Sequence, residues 1–415
     1  MDSEEKAFGM SSAAPERALS GREEKAMGLA LRWQNFYKSK TMSYWTLLFL
    51  SLFAMMTAFP ASSILTRLYF TNGATSKWII SWLAAAGWPI SAALLLAYCV
   101  MEGEHPSPLR WDLTLAYAVL GFLSAADNVM YAYAYAYLPA STAALLASTS
   151  LCFTAILAYF MVGQKYNASI VNAVGIMTTA AVLLGLDQGS DRPFGVSSGQ
   201  YTLGFILDIC ASALHGLIFN LSELLFIKIL GRRTFRFVLE AQTATGIFAT
   251  IFTTIAVVIA GDFQKIHTEA QNFKDGPGAY YQVFAWSAVS FQLGVLGSVG
   301  CLFLANTLLA GVLNAARVPA TTVVAVIVFN DAMGGIKITA VILTVWSLAS
   351  YTWGSRNLKV EEEEKVPILA SPDASRGRML QPMETSRLLR RISISKLDSL
   401  EEPDVPTSEE NVVTS

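Results

Sequence analysis

Residues 126–150 read ADNVMYAYAYAYLPASTAALLASTS, an acid, an amide and four tyrosines inside a stretch apolar enough for a membrane. Tyr131, Tyr133, Tyr135 and Tyr137 alternate with alanines, a period of two that taken alone describes a strand. The run nevertheless continues an apolar segment beginning near Leu113, too long for a strand and long enough for a spanning helix. On a helix Asp127, Tyr131 and Tyr135 stack at intervals of four, with Asn128 beside them. An ionised carboxylate against lipid costs roughly 2.5 to 3.5 kcal/mol on insertion scales, so this face is expected to look into protein or a water-filled cavity. The alternative is a structural helix–helix face with a satisfied polar pair.

Composition agrees with a membrane protein. Hydrophobic residues make up 53% of the chain and charged ones 14%, with a mean hydropathy of +0.45, whereas soluble domains carry about 25% charged residues. A net charge of -2 and a pI near 6.0 give no sign of a nucleic-acid partner. Cys99, Cys152, Cys210 and Cys301 all lie in apolar runs and read as buried small side chains, not as disulfides or a metal site. No cofactor is expected. The first forty residues are polar and of mixed charge, and no cleavable signal peptide is expected there.

Apolar runs follow at about 44–70, 77–100, 112–136, 141–162 and 170–186, then at 201–227, 237–260, 281–305, 308–329 and 338–353. They predict an all-α polytopic membrane protein of ten transmembrane helices. The hydrophilic segment DQGSDRPFGVSSGQ separates two sets of five. The expected division is an amino-terminal tail (1–42), a first five-helix repeat (43–187), an inter-repeat loop (188–200), a second five-helix repeat (201–355) and a carboxy-terminal tail (356–415). Lys and Arg accumulate in the amino-terminal tail, at Lys165, in KILGRR and around Arg356 and Lys359, which predicts cytoplasmic termini. Five spans plus five make the halves antiparallel, the inverted repeat that supports alternating access. Two registers relate the halves. A spacing of 180 aligns PAST at Pro139 with PATT at Pro319 but leaves unequal spans, whereas 166 keeps lengths equal and sets Pro319 inside a helix opposite Phe153.

Charges within the spans are the next signal, and they are read as Asp127, Asp208, Glu223, Glu240 and Arg317. Asp208, Ser212 and His215 share one face of the sixth span, and a buried acid with an imidazole is the usual material of a proton relay. Glu223 is either part of that relay or a headgroup-level partner of Lys228. Glu240 opens the seventh span and is open to an interfacial reading as well. Arg317 lies deep in the ninth span beside Asn314 and needs a carboxylate or water, with Asp127, Glu223 and Glu240 as candidates.

Several stretches in one order carry a resemblance: DNVMYAYAYAYLPAST, GQKYNASIVNAV, SALHGLIFNLSEL, FVLEAQ, AVSFQLGVLGSVG and VPATTVVAVIVFNDAMGG. Together they resemble the plant purine permeases of the drug/metabolite transporter superfamily, over about residues 44–354. The resemblance implies a proton-coupled importer of adenine-like bases and their derivatives, cytokinins included, with alkaloids or vitamin-like heterocycles as alternative cargo. Where the commoner form of that family has glutamine this chain has Ala84 and Ser150, and Thr154 replaces an asparagine. These departures resemble a cytokinin-transporting subgroup and make Ser150 and Thr154 candidate substrate contacts.

A flat heterocycle asks for stacking surfaces and a few donors and acceptors, which Tyr131, Tyr135, Asp127, Asn128, Gln292 and Asn314 can supply. The expected coupling residues are Asp127, Asp208, His215, Glu223, Glu240 and Arg317, with protons and a purine or cytokinin as partners in a bilayer, most simply the plasma membrane. A membrane enzyme is disfavoured because no HExxH or Cys/His cluster is present and no GxSxG motif falls in the spans. A nucleotide-sugar or phosphate exchanger would want several cavity cations. In the tail, SRLLRRISISKLDSL mixes basic and apolar residues that could lie on an anionic leaflet, and a kinase acting at Ser393 or Ser395 would oppose that binding.

Overall fold

The computed structural model describes residues 42–103, 110–163, 165–186, 192–230, 235–304, 307–331 and 333–365. The expected tail helix and its serines lie outside them. Among the described residues the secondary structure is helical, without strands. The order is α1 (Met42–Thr71), α2 (Lys77–Ala86), α3 (Trp88–Glu102), α4 (Trp111–Tyr137), α5 (Ala140–Ala147), α6 (Ser150–Val162), α7 (Ala168–Leu186) and α8 (Ser198–Leu224). After a π-helical extension come α9 (Phe235–Ala260), α10 (Ile266–Asn272), α11 (Gly276–Leu304), α12 (Thr307–Phe329) and α13 (Gly335–Lys365). Nine spans among the described residues are long and apolar enough to cross a membrane, and α12 adds the apolar stretch Arg317–Phe329. The chain is a multi-pass membrane protein.

Two spans expected to be continuous are broken, one at a close interhelical contact and one where hydroxyls bond back to their own helix. The second divides at Gly87, where a Cβ would stand 2.8 Å from the Ala288 carbonyl and from Gln292 Cβ on α11. The fourth divides at Ser148 and Thr149, whose hydroxyls donate back to the Leu145 and Leu146 carbonyls and so compete with the helical ladder. Pro60 and Pro319 by contrast lie inside α1 and α12.

Helix pairs in lipid are held by close packing and polar contacts, so small residues mark their interfaces. The most extensive pairing is α1 with α11. Gly297 makes it possible, because a Cβ there would fall 2.6 Å from Met55 N and 2.8 Å from the Ser51 carbonyl. Helix α8 packs on α4 and on α6, the latter at Gly216, where a Cβ would meet Thr154 N at 2.7 Å. Trp82 donates its indole N–H to Thr254 on α9 at 2.8 Å and packs on Phe263 and Phe284. Cys210 departs from the expected burial: it is exposed on the bundle surface, where an apolar helix faces lipid, while Cys99, Cys152 and Cys301 are buried.

Side-chain contacts sort the connections into two ends. Asn72 donates to Asp275 at 2.6 Å, and Arg67 donates to the Tyr135 and Ala136 carbonyls at 2.8 and 3.2 Å. These bonds bring the α1–α2, α4–α5 and α9–α11 connections together at what we call the upper end. At the lower end Tyr44 donates to the Leu304 carbonyl, and Asn167 Nδ2 to the Gly354 carbonyl at 2.7 Å.

The segment after α9 is a 3₁₀ turn (Asp262–Lys265) followed by α10. Its ordering centre is Glu269, 8% exposed, which accepts from Tyr69 Oη at 2.7 Å, Thr75 N and Oγ1 at 2.9 and 2.8 Å, Ser76 N at 3.1 Å and Tyr280 Oη at 3.3 Å. Charge-assisted bonds are the strong ones, and removing this carboxylate leaves five donors without it. Glu269→Ala is therefore expected to lower stability by about 3 kcal/mol, read as a loss of thermal stability of the detergent-purified protein. A change indistinguishable from the parent would mean that water replaces the carboxylate at no cost.

Candidate functional site

The central stretch forms the second half of α4, and it faces α8. Asp127, 5% exposed, has Oδ2 at 2.9 Å from Nδ1 of His215. One turn along each helix, Tyr131 Oη lies 3.3 Å from Ser212 Oγ, which in turn donates to the Leu146 carbonyl of α5 at 3.3 Å. The Tyr131 ring meets the His215 ring edge-on at 6.2 Å, and His215 meets Phe219 at 5.1 Å. The four-residue spacing on α4 is thus answered by the Asp208, Ser212, His215 spacing on α8. Tyr135, one turn further, reaches Ser63 on α1 and lies within electrostatic range of both Asp208 and Arg317.

This group combines buried polar atoms with incomplete hydrogen bonding. Asp208 is fully buried, and both of its carboxylate oxygens lack a hydrogen-bond partner among the described residues. Asp127 Oδ1 is in the same condition, as is Gln292 Nε2 on α11, beside Gly87. Such groups are rare in native proteins, and those that exist call for a role such as binding or proton transfer. Arg317 lies against this region from α12, with its guanidinium carbon 4.2 Å from the centroid of Phe59 on α1 and within electrostatic range of Tyr131 and Tyr135. Phe59 meets Phe291 edge-on at 6.1 Å. The result is an acid–imidazole pair, a second acid, a guanidinium and the rings of Tyr131, Tyr135 and Phe59, contributed by α1, α4, α8 and α12.

Other sequence-predicted residues are placed differently. Asn128 is half-buried, with its carbonyl 3.2 Å from Ser81 Oγ on α2. Thr154 directs its hydroxyl to the Ser150 carbonyl of its own helix at 2.7 Å, while its carbonyl accepts from Asn220 Nδ2 at 3.1 Å. Ser150 is half-buried at the start of α6. Glu240 is in an ion pair with Arg236 at 3.4 Å, in the cluster that packs α9 against α3 and α4. Glu223 is half-buried in the last turn of α8. Asn314 is on α12, but its side chain lies outside the described residues.

Sequence reasoning overlooked Phe59 and Ser63 at the centre and Arg67 and Lys337 above it. Arg67 and Lys337, 7% and 2% exposed, are charges inside helices that the hydropathy reading passed over. Asp331, which accepts from Ser141 N and Oγ at 3.1 and 2.7 Å, completes that upper group.

Comparison with known proteins closes the question of ancestry. A family model described as purine nucleobase transmembrane transport matches residues 46–360. Probable purine permease 5 of Arabidopsis thaliana is similar, 56% identical over 319 residues that cover 77% of this chain and 88% of the relative. Probable purine permease 11 of the same plant is 33% identical over 367 residues, covering 87% of this chain and 94% of its own. For Arabidopsis purine permease 3 the figures are 33% over 317 residues, 73% and 90%. Since the matched region takes in every helix from α1 to α13 and with them the whole acid–tyrosine group, the chain belongs to the plant purine permease family.

Proposed function

We propose that this chain is a proton-coupled importer of purine-type heterocycles, with cytokinins and related adenine derivatives as its main cargo, working at the plasma membrane with cytoplasmic termini. The single observation that carries the reading is the Asp127–His215 pair, buried between α4 and α8 beside Tyr131 and Ser212. An acid with an imidazole can hold and pass a proton. Tyrosine faces can stack on a flat ring, and the incompletely bonded Gln292 amide can read a ring nitrogen.

Transport also needs a scaffold with two states, and the helix pairings support ten spans in a 5+5 inverted repeat. Exchanging each span with its counterpart five spans later turns the α1–α11 pair into α8–α4, α12–α1 into α6–α8, and α2–α11 into α9–α4, all of which are packed. The pairs of α9 with α2 and α3, and of α5 with α12, map onto themselves. Such a pseudo-two-fold pattern is the frame on which alternating access operates.

The test is uptake of radiolabelled trans-zeatin and adenine by cells expressing the chain, with and without a proton gradient. Gradient-dependent uptake that prefers trans-zeatin is expected, and gradient-independent uptake or none of either would overturn the proposal. Stacking makes a finer prediction for Tyr131 and Tyr135. Aromatic pairing is worth roughly 0.5 to 1.5 kcal/mol beyond area, so Ala at either position should raise KM about tenfold, while Phe, which keeps the ring, should stay within about threefold. Equal losses from Phe and Ala would assign the work to the hydroxyl.

A further inference from the structure

One group of charges that the central site does not use lies at the upper end. Arg67 of α1 donates to the Tyr135 and Ala136 carbonyls in the last turn of α4. Ser141, fully buried in the first turn of α5, donates from N and Oγ to Asp331, which sits between α12 and α13. Lys337, 2% exposed in the first turn of α13, donates to the same Ser141 hydroxyl at 3.1 Å. Arg67 is within electrostatic range of Asp331. Two cations, one acid and one serine therefore join three elements of the first half of the chain to two of the second.

What these bonds connect is decisive. The α1–α11 pair, with Gly297 at its contact, and the α4–α8 pair are the two intimate helix pairs around the site. Arg67 bridges α1 to α4, and Ser141–Asp331 bridges α5 to the α12–α13 connection, so both cross between helices that meet around the site and not within either pair. Directly beneath, α5 is buried on every side: the seven residues from Ala140 to Leu146 are all buried, packed on α12, α8, α7 and α1. Tyr135 packs in the same buried cluster as Ala140, Ala143, Leu145 and Leu146. The Glu269 network lies at the same end but joins the α1–α2 connection to α10, where α2 and α9 pack side by side.

We propose that Arg67, Ser141, Asp331 and Lys337 are a latch that seals the upper end of the site and must part before cargo can enter from that side. The inference rests on reading the chain as an alternating-access carrier. Parting strips hydrogen bonds from buried charged groups, which sets the free-energy difference between closed and open, and weakening the latch shifts the population toward open. The Glu269 network is then a fixed tie.

The experiment needs no transported substrate, so its failure is separable from failure of the purine reading. A cysteine at Ala143, fully buried just below Ser141, is reacted with a charged maleimide in the detergent-purified full chain, and its modification rate is read at that peptide by mass spectrometry. Asp331→Asn should raise the rate at least about tenfold over the parent, and Glu269→Gln should not. If Asp331→Asn does not fold, Ser141→Ala, which removes the hydroxyl shared by Lys337 and Asp331, decides by the same measure. An unchanged rate in these latch variants overturns the proposal. So does an equal rise in Glu269→Gln, which would mean that the upper end loosens as a whole.

Discussion

Asp127→Asn is expected to abolish accumulation of cargo against its gradient while leaving the protein folded and in the membrane. The amide keeps the size of the carboxyl and can still bond to His215 Nδ1, now 2.9 Å from Oδ2, so the α4–α8 contact survives. What disappears is the group proposed to take up and release a proton. One proton moved through 100 mV supplies about 2.3 kcal/mol and one pH unit about 1.4 kcal/mol, a ceiling of roughly 500-fold accumulation. Without coupling the ratio falls to about one, while exchange of labelled for unlabelled cargo continues. The measurement is the steady-state internal-to-external ratio at two external pH values, with counterflow as the control for folding and binding. Asp208→Asn is run beside it, because Asp208 is the other fully buried acid of the group. Normal pH-dependent accumulation in Asp127→Asn, with its loss in Asp208→Asn, would move the proton site from one acid to the other.

How much of this was legible in the sequence differs by kind of information. Hydropathy and length gave the helices, since a span needs about twenty apolar residues and little else in the chain resembles one. The Asp127, Tyr131, Tyr135 spacing gave a face, and the Asp208, Ser212, His215 spacing gave its counterpart, because a helix repeats near every four residues whatever it packs on. That the two faces meet as Asp127–His215 and Tyr131–Ser212 depends on α4 packing against α8, a tertiary fact with no local signal. The close approach at the Gly87 break was hidden for the same reason, as Gly87 faces the Ala288 carbonyl across the interface.

Arg67 shows a different limit. It stands four residues before the end of α1, where a charge reads as interfacial, yet the carbonyls it caps belong to α4 and are presented only once that helix ends at Leu138. Lys337 is similar: two residues into α13 it resembles a headgroup anchor, yet it is buried and donates to Ser141 from the other half of the chain. Glu240 shows another limit. Its place inside a span suggested coupling, and its neighbour Arg236, one turn earlier on the same helix, is in an ion pair with it.

Arg317 is the residue for which the second large effect is expected, and the case begins with its cost. A guanidinium cannot shed its charge, and roughly 2.5 to 3.5 kcal/mol is the insertion-scale penalty for one at mid-membrane. Its Cζ lies 4.2 Å from the Phe59 centroid, an interaction worth about 2 kcal/mol when desolvated, and this accounts for much of that penalty. Tyr135 lies within electrostatic range of both Arg317 and Asp208, so the cation and the buried acids act on the same aromatic group. If Arg317 is drawn toward an acid when that acid is ionised and released when it is protonated, proton binding is linked to movement of α12 against α1. Arg317→Gln should then reduce accumulation to the level of an uncoupled carrier. Arg317→Lys keeps the charge but not the planar fork, and should retain pH dependence with a higher KM. Adding Asp127→Asn or Asp208→Asn to Arg317→Gln should restore exchange for only one of the two, which names the partner. Unchanged gradient-driven uptake in Arg317→Gln would remove the coupling role. Loss of the protein from the membrane, rescued by a second substitution without recovery of pH dependence, would leave Arg317 a staple between α12 and α1.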